Sequence, residues 1–430
     1  MKKYYKIVVV SLFRVFTSLY LKKNKIEVIA ITGSAGKTTT KNAISQLLDD
    51  KKTYIPTENY NTEIGLPLSI FKEELPKNLL STKSWLVVLW HMNAKLLFKK
   101  AEYHRIVLEM GADHPGDIKY LTSFVKPNIS VVTTILPVHT ENFRNIEEIS
   151  SEKSQILSSL TEKDVAVLNY DDHKVREMKN KTASHIIWVG QNQKADLRVD
   201  KIKLSFTGMT FDLHWKEDNQ LINMQIIAPQ LLTSLLSALA VCLYLGEDLS
   251  ILAKRLEKIE SQPGRMNLIP GLNGSIIIDD SYNANPSSVV AALEVLAQLP
   301  GRRIAVLGSM NELGEYEKEG HIKVGKEAAK ICDIVVLVGD ISNKYISPEV
   351  IKTINKKFVI SFETPYQAGK YLKTIIKKND IILVKGSQNK VFVEETTKMI
   401  MAEPQKASML LVRQTEFWQK KKKESFQNIK

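Results

Sequence analysis

Apolar residues come in two spacings along this chain. Short runs rich in Val, Ile and Leu at residues 28–31, 105–110, 129–135, 165–169 and 186–189 read as buried strands. Between them, apolar positions three and four apart read as helices. Strand and helix alternate, so the pattern predicts a mostly parallel, doubly wound sheet. Residues 196–227 alternate in short strands instead and predict a small antiparallel patch added to that sheet. Helices follow at about 231–245 and 249–260, and Ser261-Gln262-Pro263-Gly264-Arg265 reads as a linker. A second series then begins, with strands at 275–279, 303–307, 334–338 and 381–384 and helices near 287–298, 316–330, 365–377 and 391–401. The expected fold class is α/β: a doubly wound central domain with its antiparallel patch, then a Rossmann-like α/β domain. The expected division is an apolar, basic segment at 1–25, a central domain at 26–262, a second domain at 263–412 and a basic tail at 413–430.

The first strand leads into Thr32-Gly33-Ser34-Ala35-Gly36-Lys37-Thr38-Thr39, and a helix pattern runs from Thr38 to Leu48. Strand, glycine-bearing loop and helix form the context of a phosphate-binding loop, which makes the central domain P-loop ATPase-like. Gly33 and Gly36 let the backbone approach a polyphosphate, and N–H groups of the loop and helix start point at the anion. Lys37 would reach the terminal phosphates, with the Thr38 hydroxyl on Mg²⁺. Ile31 stands where the usual G-x-x-x-x-G-K-[ST] pattern has its first glycine. The competing reading is an ordinary strand-to-helix turn. Glu109 ends the otherwise apolar run 105–110, His139 lies four residues beyond the run 129–135, and Lys153 lies on a helix near 146–160. Residues just past strand ends line the site in open α/β sheets.

The net charge is +13, unevenly spread. Residues 1–25 carry seven Lys/Arg and no acid, and residues 413–430 carry six Lys/Arg and two acids, so the body is close to neutral. A neutral body argues against nucleic acid as a partner. Basic ends suit either an anionic surface such as a membrane or plain solvation. Residues 4–21 are apolar but broken by Lys6 and Arg14, short for a membrane span, and lack a small-residue cleavage site. Leu12, Val15, Phe16 and Leu19 fall on one helical face, which either lies in a membrane interface or packs on the body. Residues 84–100, with Trp85 and Trp90 and a basic end, read as a core helix or a second such contact. Cys242 and Cys332 are the only cysteines, too few for a disulfide framework or thiolate metal site; this fits a reducing, cytoplasmic compartment, with peripheral placement at the inner membrane face left open.

The motifs, taken in order, resemble the Mur ligase family, in its branch that adds D-alanyl-D-alanine. Asp279-Asp280-Ser281-Tyr282-Asn283-Ala284-Asn285-Pro286 is the most specific, and TGSAGKTT, NYNTEIG, LEMGADHPGDI, the His139 segment, SEKSQIL, PGR, LGSMNELG and VKGSQ share the family's order over about residues 26–418. The resemblance implies ATP-dependent amide formation through an acyl phosphate, with water kept off that intermediate when the domains close. It implies Lys37, Glu109, His139 and Lys153 as catalytic residues. It implies two Mg²⁺ held by Thr38, Glu109, His139 and Lys153, the last carrying a CO₂-derived carbamate. ATP would meet Thr32 to Thr39, Arg265, Asp280 and Tyr282. Asn59, Asn61, Thr62, Asn283, Asn285, Lys385 and Ser387 would meet the muramyl-peptide and the amino acid or dipeptide. Asn283 and Asn285 also suit a helix cap before Pro286.

The sequence departs from the family at three places. About 25 residues precede the loop strand, where the family has a UDP-holding domain, so a lipid-linked acceptor and a separate UDP-binding partner stand as alternatives to a UDP-linked substrate held by this chain alone. Leu231 and Ser234 stand where relatives have the asparagines that contact adenine, with Gln230 before them in place of a histidine, and Gln388 and Ser309 replace an arginine and an aspartate. The leading expectation is D-Ala-D-Ala addition to a muramyl-peptide in peptidoglycan synthesis. The alternatives are a Mur-like ligase with another acceptor and a membrane-associated nucleotide-binding scaffold without ligase activity.

Overall fold

The computed structural model describes residues 3–48, 50–56, 61–76, 78, 81–136 and 142–426, with residues 3–6 as backbone alone. The chain divides into two compact units. One holds residues up to 201 with 212–222 and 231–256, and the other holds 202–211, 223–230 and 257 onward.

The first sheet contains β1 (Glu27–Thr32), β2 (Thr53–Tyr54), β3 (Arg105–Glu109), β4 (Ile129–Val132), β5 (Val165–Asn169) and β6 (His185–Gly190). Their order is β2-β3-β1-β4-β5-β6, all parallel. β1 and β3 to β5 are apolar and buried almost throughout, as strands covered on both faces must be. β7 (Leu197–Ser205), β8 (Gly208–Trp215) and β9 (Asp218–Met224) continue the sheet in that order. They are joined by two-residue turns, which only antiparallel neighbours allow. The helices α1 (Lys3–Asn24), α2 (Lys37–Leu47), α3 (Gly65–Phe71) and α4 (Thr82–Phe98) belong to the first unit.

The apolar N-terminal stretch is helical, and its face of Val9, Phe13, Thr17 and Tyr20 is buried among α3 and α4. The Phe13 and Trp85 rings lie 6.1 Å apart and those of Tyr20 and Phe71 4.4 Å apart. The face read from the sequence as the apolar one is a different one: Leu12, Val15 and Leu19 are exposed and Phe16 is half-buried. Two apolar stripes run along this helix. The one with Phe13 and Tyr20 is packed inward, because aromatic rings bury the most area.

The second sheet contains β10 (Asn267–Pro270), β11 (Ile276–Asp280), β12 (Arg302–Gly308), β13 (Ile334–Val338), β14 (Val359–Phe362) and β15 (Asp380–Lys385). The order is β10-β11-β15-β12-β13-β14, parallel except for β10. β10 and β14 were not legible in the sequence; each is a four-residue edge strand, too short and too exposed for a clear pattern. The basic run near the C-terminus is not a purely solvated tail. It forms the helix Glu416–Phe426, and Lys422 is fully buried with Nζ 2.9 Å from Glu394 and 2.5 Å from Glu395. Arg413, also buried, donates to both carboxylate oxygens of Glu394 at 2.9 and 2.8 Å. Two carboxylates thus offset the cost of burying two cations. Lys422→Met leaves Glu395 without its cation and should lower the unfolding free energy by about 3 kcal/mol, with Glu395→Gln in the same chain restoring part of it. Urea unfolding read from the second unit checks this.

Candidate active site

In the first unit, the carboxyl ends of β1, β3 and β4 lie side by side. Ile31 pairs with Glu109, and Thr32 pairs with Val132. The chain leaves β1 through Gly33 at φ 144° and enters α2 through Gly36 at φ 87°. Both angles disfavour an L side chain. Space forbids one as well, since a Cβ on Gly33 would lie 2.0 Å from Thr133 Oγ1 and one on Gly36 2.5 Å from Ser234 Oγ. The segment after β4 underpins the loop. Thr133 Oγ1 donates to Ala35 O at 2.5 Å, Ser34 N donates to Thr134 O at 2.7 Å, and Ser34 Oγ bridges to Leu136. Asp172 in turn accepts from Ile135 N and Thr134 Oγ1 at 2.7 and 2.8 Å.

Lys37 and Thr38 open α2, with Thr39 half-buried beside them. First-turn N–H groups of a helix lack intrahelical acceptors, so this end presents a site for an anion. Lys37 Nζ folds back to Gly33 O at 2.7 Å. Thr38 Oγ1 donates to Glu109 Oε2 at 3.0 Å, and Lys41 Nζ lies 3.0 Å from Glu109 Oε1, both side chains of that pair being buried. The Thr38 hydroxyl and the Glu109 carboxylate are hard oxygens converging on one spot, a donor set that fits Mg²⁺. Lys153 sits on the helix Ile146–Ser154 and is buried. Its pKa is lowered to about 8, first by burial and then by the charge of Lys37, against smaller opposite effects of Glu152 and Asp113. Burial also lowers the pKa of Lys37. As an ammonium, Lys153 does not suit a metal; as a carbamate it offers oxygens. Asn59 and His139 lie outside the described residues. Asn61 packs on Gly111, just past β3, and Thr62 accepts from Gly65 N at 3.2 Å at the start of α3.

The second unit gathers its own set at the ends of β11, β12 and β15. Asp280 and Lys385 are register partners, with Lys385 Nζ 2.5 Å from Asp280 Oδ2 and 3.0 Å from Asn283 O. Asn283 Oδ1 accepts from Ala284 N and Gln388 N. Asn285 caps the helix Pro286–Gln298 in a reciprocal pair with Ser288. Ser387 Oγ joins Asn311 N to Ala284 O. Arg265 lies over the Tyr282 ring at 4.3 Å, and Tyr282 N donates to Gly264 O. Arg413 holds this loop from behind through the carbonyls of Ser281 and Tyr282.

Sequence reasoning missed Lys41, Asp172 and Arg413. Lys41 had a signal, lying one helical turn beyond Lys37 and on its face. The other two act through contacts distant in sequence.

The geometry of the first unit is that of a P-loop nucleotide site: strand, glycine loop, helix start and a neighbouring carboxylate. The Mur ligase middle domain matches residues 31–242, and the Mur ligase glutamate ligase domain matches residues 264–388. Among curated relatives, the UDP-N-acetylmuramoyl-tripeptide–D-alanyl-D-alanine ligase of Rickettsia prowazekii is 30% identical over 381 residues, 86% of this chain and 78% of that protein. Its namesake in Buchnera aphidicola is 29% identical over 385 residues, 86% of this chain and 75% of that one. Among solved structures, a MurF ligase from Thermotoga maritima in complex with ADP superposes with a TM-score of 0.73 at 27% identity, over 92% of this chain and 84% of that chain. The chain belongs to the Mur ligase family.

Lys153 gives a pH test. Its folded pKa of about 8 lies below the ordinary value of 10.5, so the unfolded chain binds more protons between those values. The lysine therefore costs stability fully below pH 8, and the cost fades as the pH rises toward 10.5. In bicarbonate-free buffer, Lys153→Met should raise the unfolding free energy at pH 7 by at most about 3 kcal/mol, less above pH 9. Urea melts at the two pH values check this, and a gain independent of pH contradicts it.

Proposed function

We propose that this chain is an ATP-dependent ligase that joins the terminal carboxylate of a muramyl-tripeptide to the amine of D-alanyl-D-alanine, in peptidoglycan synthesis. The observation that carries the reading is the buried Glu109 carboxylate hydrogen-bonded to Thr38 at the first turn of α2. The names of the relatives give the substrates.

In the first step a carboxylate oxygen of the acceptor attacks the γ-phosphorus. An O–P bond forms, the bridging P–O bond to the β-phosphate breaks, and ADP leaves. In the second step the neutral amine of the dipeptide attacks the acyl carbon. A C–N bond forms, the C–O bond to phosphate breaks, and the amine's proton goes to solvent. Lys37 and the N–H groups at the start of α2 hold the polyphosphate and offset its charge. Thr38 and Glu109 would hold a Mg²⁺, which neutralises the phosphate oxygens when bound. The in-line approach of carboxylate and phosphorus is a matter of positioning.

In this reading His139 and a carbamate on Lys153 serve a second Mg²⁺. The neutral amine that reacts with CO₂ is accessible at Lys153 because burial and Lys37 disfavour its charge. Arg265, Asp280 and Tyr282 are assigned to the nucleotide. Asn59, Asn61, Thr62, Asn283, Asn285, Lys385 and Ser387 are assigned to the substrates. Peripheral placement at a membrane and a separate UDP-binding partner belong to the same proposal. No helix among the described residues is long and apolar enough to cross a membrane.

The test uses ATP, Mg²⁺, bicarbonate, D-Ala-D-Ala and a UDP-muramyl-tripeptide labelled with ¹⁸O in its terminal carboxylate. The expected outcome is phosphate release that needs both substrates, a pentapeptide product, and one ¹⁸O carried into the phosphate. Phosphate free of label, or release that needs neither substrate, contradicts the acyl-phosphate route.

A further inference from the structure

α1 and α4 lie side by side and run in the same direction. Phe13 meets Trp85, and toward the C-terminal ends Lys23 Nζ donates to the carbonyls of Leu96 and Leu97 at 2.6 and 3.1 Å. Each helix buries one face and carries a second, exposed apolar stripe. On α1 the stripe is Val8, Leu12, Val15 and Leu19, and on α4 it is Leu86, Trp90 and Leu97. Spacings of three, four and seven keep each set on one flank.

The contacts show which flank. Lys23, beside the α1 stripe, reaches α4, whereas Arg14, on the opposite flank of α1, lies over Tyr120. On α4, Lys95 and His91 face Glu73 from the flank opposite the stripe. The two stripes therefore turn toward each other and form one apolar surface along the helix pair. Trp90 is 67% exposed on it. Soluble surfaces rarely carry so contiguous an apolar patch without a partner.

The charge carried by the two helices is of one sign. Neither helix contains an acid, and Lys22, Lys23, Lys25, Lys99 and Lys100 are all exposed at the shared C-terminal end. The acid closest in sequence beyond α4, Glu102, is paired with Lys72. Apolar side chains and a tryptophan for the acyl boundary, with lysines for anionic headgroups, are what an in-plane membrane contact requires.

We infer that the exposed stripes of α1 and α4, with the lysines at their C-terminal ends, dock this protein on the interface of an anionic lipid bilayer. The inference rests on the peripheral placement proposed above and specifies its face and its lipid charge. It does not depend on the ligase reaction.

The experiment is flotation of the full chain with phosphatidylcholine vesicles, with and without phosphatidylglycerol. Binding is expected to the anionic vesicles alone, to fall with salt, and to shift tryptophan emission to the blue. Trp90→Phe should keep the binding and lose most of the shift. Leu12→Ser, Leu19→Ser, Trp90→Ser and Leu97→Ser together should abolish binding; all four positions are solvent-exposed, so the fold is retained. Lys22→Gln, Lys99→Gln and Lys100→Gln should each weaken binding about fivefold. Absence of binding, binding indifferent to the stripe variant, or equal binding to neutral vesicles overturns the inference. So does a dimer in light scattering that the stripe variant converts to monomer, since the face would then cover a second copy. Phosphate release measured on the same samples reads the ligase proposal separately.

Discussion

The first unit depends on one buried carboxylate. Glu109 is the last residue of β3, and the pairing of Ile31 with Glu109 fixes it beside the end of β1. Backbone and side-chain bonds lock that register, with Met110 N on Ile31 O and Thr32 Oγ1 on Met110 O. Around the carboxylate the chain places Lys41 in contact, Thr38 in contact, and Lys37 within electrostatic reach. Burial, and then the charge of Lys37, lowers the pKa of Lys153. Lys41 and Lys153 are buried and Lys37 half-buried, with Glu109, Glu152 and Asp113 as the carboxylates that act on these lysines. A polyphosphate would bring further negative charge to the lysines, and so would a carbamate on Lys153. The glycine loop could not lie where it does without its support from Thr133, Thr134 and Leu136, which Asp172 braces.

The second unit solves a different problem. Its loop from Ser281 to Asn285 is almost entirely engaged. Arg413 takes two carbonyls, Lys385 takes another, and Asn285 caps the following helix. The Tyr282 ring, with Arg265 stacked on it, is exposed, as are Asn283 and Asn285. Lys385 is occupied by Asp280, so its charge is partly spent within the protein.

Much of this was legible in the sequence because it is local. Strand, loop and helix from Val28 to Leu47 follow from β-branched residues, two glycines and a helix stripe within one short stretch. Glu109 stood out as an acid closing an apolar strand. What was not legible was long-range. Arg413 and Lys422 read as part of a basic tail, and only the fold shows Glu394 and Glu395 waiting for them. The packed face of α1, with Val9, Phe13 and Tyr20, was not picked out because the helix has two apolar stripes, and periodicity alone does not rank them. Asn285 and Thr62, assigned to substrate through the resemblance, make helix-start contacts as well.

The measurement that tests the central claim most directly is ATP binding by titration calorimetry, with and without Mg²⁺, for the native chain and for Glu109→Gln. If Glu109 and Thr38 form the metal's seat, Mg²⁺ should tighten ATP binding to the native chain and leave the variant's binding unchanged, with metal-free binding similar in both. An Mg²⁺ effect of equal size in the two proteins would contradict the account.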